Sequence, residues 1–136
     1  MSTNPGKHLF EKEVSGAYLY QHYNYYLEHL DPGLPKLQST LEMSEVTDKQ
    51  AEQYSLVTQL VSRSASLFAA QLAGMIHYLN KDHIFFIMEG SVFWDIALYS
   101  QYIYEHLRNL HIESSSFSFH HIKNSNLEGG CRLVYR

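Results

Sequence analysis

The chain contains a single cysteine, Cys131, among its 136 residues, so an internal disulfide is excluded. A lone cysteine fits a reducing compartment. Residues 1–12 lack the apolar central run of a secretory signal. The longest apolar helical stretch, residues 56–79, carries Arg63 and His77, which makes it a poor lipid-spanning segment. We therefore predict a cytoplasmic protein with no membrane span.

Basic residues are also scarce, because 10 lysines and arginines stand against 14 aspartates and glutamates and give a formal charge of −4. A surface of this kind does not neutralise nucleic-acid phosphates. The 11 tyrosines and 7 phenylalanines could stack on bases, but without a basic field we expect them to fill a core or an interface. The composition thus predicts no nucleic-acid partner.

Common catalytic and metal-binding motifs are missing as well. The chain has neither a Walker loop nor a Gly-x-Ser-x-Gly nucleophile turn. Its nine histidines show no His-Glu-x-x-His pair and no zinc-finger spacing. His120 and His121 are adjacent, which on a strand directs them to opposite faces rather than to one ion. We predict no metal site.

Length and composition predict one domain, since 136 residues with 45% hydrophobic content suffice for one core. Helical spacing of apolar residues predicts helices over residues 7–30 and 92–110, and a long helix from residue 44 or 47 to residue 79. Pro32 and Pro35 end the first helix. The expected core face of the long helix, with small residues between its members, is Leu56, Leu60, Leu67, Leu72, Met75, Ile76 and Leu79.

Two short segments have the composition of strands. Residues 83–88 are rich in β-formers and predict a buried strand, whereas residues 114–122 alternate in part like a half-buried one. Because a helix joins them, we expect a parallel pair with a right-handed crossover. Residues 124–130 predict a polar turn. So small a sheet either gains strands from another segment or is buried by the helices alone, and we favour the first.

The junction after the first predicted strand is a candidate nucleotide site. Met88 and Glu89 are followed by Gly90 and Ser91 and then by a helix. A glycine there lets a ligand approach the backbone, and a helix N-terminus exposes unpaired N–H groups. The alternative is a tight turn in which Ser91 caps the helix.

Two charged residues have both a functional and a structural interpretation. Glu11 follows the turn Asn4-Pro5-Gly6 in the first helical turn, where a carboxylate could accept hydrogen bonds from the hydroxyls of a polyol. The alternative is a favourable first-turn charge. Arg63 lies within an apolar helix and needs a partner or must extend to solvent. We interpret it as half of an ion pair, with a ligand contact as the alternative.

Three blocks of sequence together point to a family. Residues 4–18 contain Asn-Pro-Gly, Phe-Glu-Lys and Ser-Gly-x-Tyr, and residues 63–72 contain Arg-Ser-Ala-x-Leu-x-Ala-Ala-x-Leu. Gly90 and Ser91 follow Glu89 in the third block. In this order the blocks resemble the C-terminal part of the large domain of hexokinases and glucokinases, in which an aspartate is usual at the position of Glu89. The resemblance extends over almost all of the chain.

The resemblance implies that residues 1–136 form a partial actin-like (ribonuclease H-like) sugar-kinase subdomain of the α/β class. Glu11 would match a glutamate that binds glucose hydroxyls, and His8 stands where a sugar-contacting glutamine is usual. The complete enzyme would phosphorylate the 6-hydroxyl of a hexose with ATP and Mg²⁺. The residues that match positions near ATP are Gly16, Ala17, Gly90 and Ser91.

The chain departs from the family pattern in three places. The loop over residues 31–43 is much shorter and lacks the family's Thr-Arg-Gly-Lys-Phe segment, and Glu128 lies near the position of a lysine, so we expect weak ATP affinity. The family's phosphate loops and catalytic aspartate belong to an N-terminal portion that these residues do not include. We therefore predict no catalytic residue here, no tightly bound ATP or Mg²⁺, and no turnover without the N-terminal half or another subunit.

A non-catalytic hexokinase-like interaction or sugar-sensing module is the alternative hypothesis. The shortened loop, Glu128 and the excess of aromatic residues favour it, because any of them could form a partner surface. In the leading hypothesis the partners are a hexose, ATP and the rest of the kinase. In the alternative, the fold remains and the chemistry is lost.

Overall fold

The computed structural model describes residues 6–46, 51–96 and 98–123 of the chain. Single turns of 3₁₀ helix lie at Leu41–Glu45 and Ser114–Ser116. The predicted helix-rich α/β organisation with a small sheet is confirmed in these residues. The helices and strands are α1 (Leu9–Val14), α2 (Gly16–Leu30), α3 (Ala51–Leu79), β1 (Ile84–Ile87), α4 (Ser91–Asp95), α5 (Tyr99–Asn109) and β2 (Phe117–His120).

The first predicted helix is divided in two at Ser15. Its backbone is extended (φ −80°, ψ 137°), so one continuous helix over residues 7–30 is wrong. The N–H of Ser15 donates to the carbonyl of Glu11 at 2.8 Å, and its hydroxyl accepts from the N–H of Ala17 at 3.3 Å. One serine thus satisfies a carbonyl at the end of α1 and a donor at the start of α2, which is why the break falls there.

The long helix α3 packs mainly against α5, with a core face that differs from the predicted one. Of the predicted face only Leu72 and Ile76 are buried. Ala65 and Ala69 have no exposed surface at all, which lets the backbone of α5 approach more closely than leucines would allow. Residue 44, one predicted start of this helix, lies in a 3₁₀ turn instead. The buried residues of α3 are Val57, Val61, Ser64, Ala65, Ala69, Leu72, Ala73 and Ile76.

The helix predicted over residues 92–110 is also broken, between Asp95 and Tyr99. Ile96 has extended backbone (φ −79°, ψ 119°) and Leu98 has the left-handed conformation (φ 66°). Ile96, Tyr99 and Ile103 are all buried. Ile96 is buried in the core at this break, and the hydroxyl of Ser44 donates to the carbonyl of Asp95 at 3.4 Å.

The two strands form a parallel ladder in which Ile84 pairs with Phe117 and Ile87 with His120. The predicted parallel pairing is therefore confirmed, while the handedness of the crossover stays a prediction. The predicted burial of the first strand is wrong, because Phe85 is 69% and Ile87 52% exposed. Among the described residues the helices cover only one face of the sheet, and Ile84 and Phe117 point into the core from that face.

Several sequence predictions lie outside the described residues. These are the turn at residues 4–5, the alternative helix start at residue 47, the polar turn at residues 124–130 and the segment around Glu128. In the parts of the chain that the structure describes, no helix combines the length and the apolar character that crossing a bilayer requires.

The end of α5 is closed by two backbone hydrogen bonds around His111. The N–H of Ile112 donates to the carbonyl of Leu107 at 3.0 Å, and the N–H of His111 donates to the carbonyl of Arg108 at 2.9 Å. This is the Schellman arrangement, in which the residue after the cap has positive φ and is usually glycine. Here it is His111, with φ 59°. Leu107 and Ile112 are both buried and supply the apolar contact that accompanies the motif.

We predict that His111→Gly raises the free energy of unfolding by about 0.5–1 kcal/mol. A β-carbon in the left-handed conformation costs roughly 1–2 kcal/mol, and the greater unfolded-state freedom of glycine offsets part of the gain. Urea unfolding followed by circular dichroism measures the change. The matched control is Glu105→Gly, exposed in the middle of α5, which should lower stability by about 1 kcal/mol. Equal destabilisation by both variants would contradict the prediction.

Candidate functional site

A cavity of about 280 Å³ lies where the α1–α2 junction meets α3 and the β1–α4 junction. Gly16 and Gly90, two of the residues predicted near ATP, both line it although 74 positions separate them in the chain. Its volume is near the lower limit of small-molecule pockets. The complete lining is Val14, Ser15, Gly16, Phe68, Met88, Glu89, Gly90, Val92, Phe93 and Tyr99.

Gly16 allows the two junctions to meet. A β-carbon added at Gly16 would lie 2.5 Å from Cγ2 of Val92, a distance that real β-carbons do not tolerate. The family resemblance points to Gly16, but no feature of the sequence indicates its contact with Val92. The close approach of the Gly16 backbone to the Val92 side chain arises only from tertiary packing, and it explains why residue 16 must be glycine.

Gly90 has φ 96° and ψ 151°, a conformation open only to glycine at reasonable cost. It occupies the cap position of α4, and Ser91 is the first residue of the helix, so the predicted cap role of Ser91 is wrong. Met88, two residues before Gly90, is held on two sides. The N–H of Met88 donates to the carbonyl of His120 at 2.9 Å, and its carbonyl accepts from Nε1 of Trp94 at 3.0 Å. These bonds fix the direction in which the turn leaves the sheet.

Tyr99 is the most buried residue that lines the cavity. Its phenol lies 3.1 Å from the hydroxyl of Ser64 on α3, and both side chains are buried. Burial raises the pKa of Tyr99, and the hydrogen bond from Ser64 acts in the opposite direction. The neutral phenol is therefore the form that the fold stabilises.

The shortened loop after α2 returns to the same region through Thr40. The hydroxyl of Thr40 donates to the carbonyl of Gly16 and accepts from the N–H of Tyr20 at 3.2 Å. Asn24 makes a second connection, because its amide donates to the carbonyl of Leu37 at 2.7 Å and accepts from the N–H of Leu37 at 2.8 Å. The role of Thr40 was not predicted, since a loop threonine carries no pattern that indicates a buried partner.

The predicted sugar-binding residues lie outside the cavity, on the exposed side of α1. Nδ1 of His8 is 3.8 Å from Oε2 of Glu11, and both side chains are exposed. His8 has the left-handed conformation (φ 53°) at the start of the helix. Among the described lining residues of the cavity there is neither Glu11 nor His8, and neither Ala17 nor Ser91.

Two contacts on the other side of α1 hold the helix that carries Glu11. Nη2 of Arg63 on α3 lies 3.0 Å from Oε2 of Glu13, and Nε2 of His22 on α2 donates to the carbonyl of Lys12 at 2.9 Å. The predicted ion pair of Arg63 is thus confirmed, and its partner is identified as Glu13. Arg63 is 58% exposed, so it reaches its partner at the protein surface rather than in the core.

Acidic and imidazole side chains do not gather into a typical metal centre. Within residues 6–46, 51–96 and 98–123, no three or more histidine, cysteine, aspartate or glutamate side chains come together in a way that could hold an ion. Mg²⁺ usually binds through one or two carboxylates plus the phosphates of a nucleotide, so it needs no such cluster.

Comparison with known proteins gives the family. The Hexokinase family profile matches residues 24–134, and the chain belongs to the hexokinase family. No curated protein matches the chain. Gly90 and Ser91 lie within the matched residues, whereas His8, Glu11, Gly16 and Ala17 precede them. Family membership is therefore carried by the segment that contains α3, the sheet and the β1–α4 turn.

We predict that Gly16→Ala lowers the free energy of unfolding by about 1–3 kcal/mol, because the added methyl group overlaps Val92. In a protein that already carries Val92→Ala, the same Gly16→Ala change should lower the free energy of unfolding by less than it does in the wild type. The matched control is Gly74→Ala in α3, where an added β-carbon meets nothing within 4 Å and stability should rise by about 1 kcal/mol. Urea unfolding measures all four variants. A harmless Gly16→Ala would contradict the close contact.

We predict that Tyr99→Phe lowers the free energy of unfolding by about 1–2 kcal/mol at neutral pH, because the buried hydroxyl of Ser64 loses its partner. A raised folded pKa means that the phenol stabilises the fold fully below pH 10.0, the unfolded value, and that this contribution is lost as pH rises through the folded pKa. Wild-type stability should thus fall more steeply above pH 10.0 than that of Tyr99→Phe.

The control for this pair of measurements is Tyr78→Phe, whose side chain is 88% exposed. Removing the hydroxyl of Tyr78 should change neither the free energy of unfolding at neutral pH nor its decline at alkaline pH. Parallel alkaline curves for the wild type and Tyr99→Phe would show that Tyr99 is not the titrating group.

Proposed function

We propose that this chain is the C-terminal part of the large domain of a hexokinase-type sugar kinase with the actin-like fold. In the complete enzyme, ATP phosphorylates a hexose at its 6-hydroxyl, and this part supplies contacts to both substrates. One observation carries the proposal. Gly16 and Gly90, which the family resemblance assigns to the nucleotide, line one cavity although 74 positions separate them in the chain.

The adenosine side of the site is the cavity and its rim. Gly90 supplies backbone without a side chain beside the opening, and Phe68, Met88 and Phe93 offer apolar walls of the kind that suit a nucleoside. Gly16 with Ala17, and Gly90 with Ser91, belong to the two helix starts that flank the opening. Glu89 replaces the family's aspartate at this turn and keeps the negative charge.

The hexose side is the exposed face of α1. In the proposal, Glu11 accepts hydrogen bonds from the sugar hydroxyls, and the neighbouring His8 contributes a further polar contact. The ion pair between Glu13 and Arg63 and the bond between Lys12 and His22 hold α1 against α2 and α3. A carboxylate on a fixed helix loses little freedom on binding, which supports a role in orienting the sugar.

This chain holds only part of the machinery in the proposal. The base that deprotonates the attacking hydroxyl and the loops that hold the phosphates would come from the N-terminal half of the kinase or from another subunit. ATP supplies the phosphoryl group, and Mg²⁺ would bind mainly to its phosphates. We infer that the chain alone is inactive and binds ATP weakly. A cytoplasmic location is part of the proposal and rests on the single cysteine.

Calorimetry with glucose and with ATP tests the proposal on this chain and on a longer polypeptide that adds a hexokinase N-terminal half. We expect Glu11→Gln to weaken glucose binding about tenfold, because a hydrogen bond to a charged group contributes about 1.5–3 kcal/mol. Glu52→Gln is the matched control, since Glu52 is an exposed first-turn carboxylate of α3. Failure of the longer polypeptide to phosphorylate any hexose would refute the proposal.

A non-catalytic interaction or sugar-sensing module is the second candidate. The observation that favours it is the exposed apolar face of the sheet, where Phe85 and Ile87 are largely open to solvent. Analytical sedimentation and a pull-down with the immobilised chain test it. A strict monomer that retains no partner would count against this candidate, and sugar binding without phosphorylation by the longer polypeptide would favour it.

A further inference from the structure

Three polar side chains form a hydrogen-bonded group on the exposed face of the sheet. Oγ of Ser118 lies 2.9 Å from Nε2 of His83 and 2.8 Å from Nε2 of His120. Ser118 pairs with Phe85 across the ladder. The ring of Phe85 packs against both imidazoles, with centroid distances of 4.8 Å to His83 and 5.3 Å to His120. Two imidazole nitrogens, one from each side of the ladder, thus converge on one point.

The hydrogen bonds of His83 define which of its ring nitrogens carries the proton and which has the lone pair. Nδ1 lies 2.7 Å from the carbonyl oxygen of Ser115, and because a carbonyl only accepts, Nδ1 carries the proton. In the neutral ring Nε2 then has the lone pair and accepts from the hydroxyl of Ser118. An imidazole whose remote N–H is bound by a backbone carbonyl has the orientation typical of metal-ligating histidines.

His120 completes the arrangement from the other side. With the Ser118 hydroxyl donating to His83, Oγ of Ser118 accepts from Nε2–H of His120. His120 is exposed, so its proton can move through solvent to Nδ1 and leave Nε2 free as a ligand. Both Nε2 atoms would then present lone pairs toward the position of the Ser118 hydroxyl.

The spacing suits a shared ion. Because the two Nε2 atoms lie 2.9 and 2.8 Å from one oxygen, they are less than about 6 Å apart. Two bonds of about 2.0 Å from a metal to imidazole nitrogens put the nitrogens about 3–4 Å apart. Small rotations of the two exposed rings close that difference, and the Ser118 hydroxyl moves aside.

We propose that His83 and His120 bind one divalent first-row transition-metal ion through their Nε2 atoms, with water as the other ligands. Imidazole suits Cu²⁺, Ni²⁺ and Zn²⁺, and the general order of affinity puts Cu²⁺ first. The ion joins the two sides of the ladder and so tightens the sheet that leads through Met88 into Gly90. This site does not depend on the proposed kinase function.

The proposal departs from the sequence prediction of no metal site, and the departure has a structural reason. His83 and His120 are 37 positions apart and fit no ligand motif, and only the parallel ladder brings them together. His121, the neighbour that sequence analysis considered, stacks on Trp94 at 5.3 Å instead. Two protein ligands leave several coordination positions to water, which is typical of an exchangeable ion rather than a closed structural zinc site.

Calorimetry of the tag-free protein with Cu²⁺ alone, and separately with Ni²⁺ and Zn²⁺, tests the site. We expect one Cu²⁺ per chain with the highest affinity of the three ions. His83→Gln and His120→Gln should each lower the association constant at least tenfold, since even loss of an outer-sphere partner costs about 10–100-fold. His29→Gln is the matched control, because His29 is exposed and its Nδ1 also lies 2.7 Å from a backbone carbonyl.

Nuclear magnetic resonance locates the ion without relying on any variant. Sub-stoichiometric Cu²⁺ should broaden the amide signals of β1 and β2 around Phe85 and Ser118 first, and Ser118→Ala should still bind the ion. Metal should raise the melting temperature of the wild type but not of His120→Gln, because the ion binds only the folded sheet. Absence of equimolar binding, equal losses in His29→Gln, or broadening centred elsewhere would overturn the proposal.

Discussion

The contact between Gly16 and Val92 is the constraint on which the arrangement of this protein depends. It brings the start of α2 against the first turn of α4, so that two segments far apart in the chain meet without a β-carbon between them. Thr40 reinforces this approach from the loop by bonding the carbonyl of Gly16. A buried hydrogen bond between Tyr99 and Ser64 joins α5 to α3 beside the cavity. The small cavity beside Gly90 exists because these contacts hold its walls at a fixed separation.

The two halves of the candidate site differ in how the fold supports them. The cavity is lined by residues of all five helices, α1 to α5, and contains a glycine whose conformation no other residue adopts readily, so its shape is built into the domain. The residues proposed for sugar binding are exposed groups of one short helix, and their position depends on the Arg63–Glu13 ion pair and the His22–Lys12 hydrogen bond. An exposed ion pair contributes only about 0–1 kcal/mol, so α1 is held less firmly than the turn at Gly90.

The sheet links the candidate site to the exposed surface. β1 ends at the turn that contains Gly90, and its ladder partner β2 contributes the carbonyl that holds Met88. One face of the ladder belongs to the core, and the other presents Phe85 with the histidine pair to solvent. Any ligand or partner that stabilises the exposed face therefore acts on the strand that positions the cavity, which gives this surface a physical route to the site.

The sequence by itself determined the helix and strand types, the parallel pairing of the strands, the ion-paired state of Arg63 and the glycine turn at Gly90. These follow from periodicity, composition and local backbone chemistry. Tertiary structure alone decided the breaks at Ser15 and Ile96, the rotation of the core face of α3, the exposure of Phe85 and the meeting of His83 with His120. Each of these depends on packing between segments that are remote in the chain. Such contacts outweigh the small local preferences that a sequence pattern records.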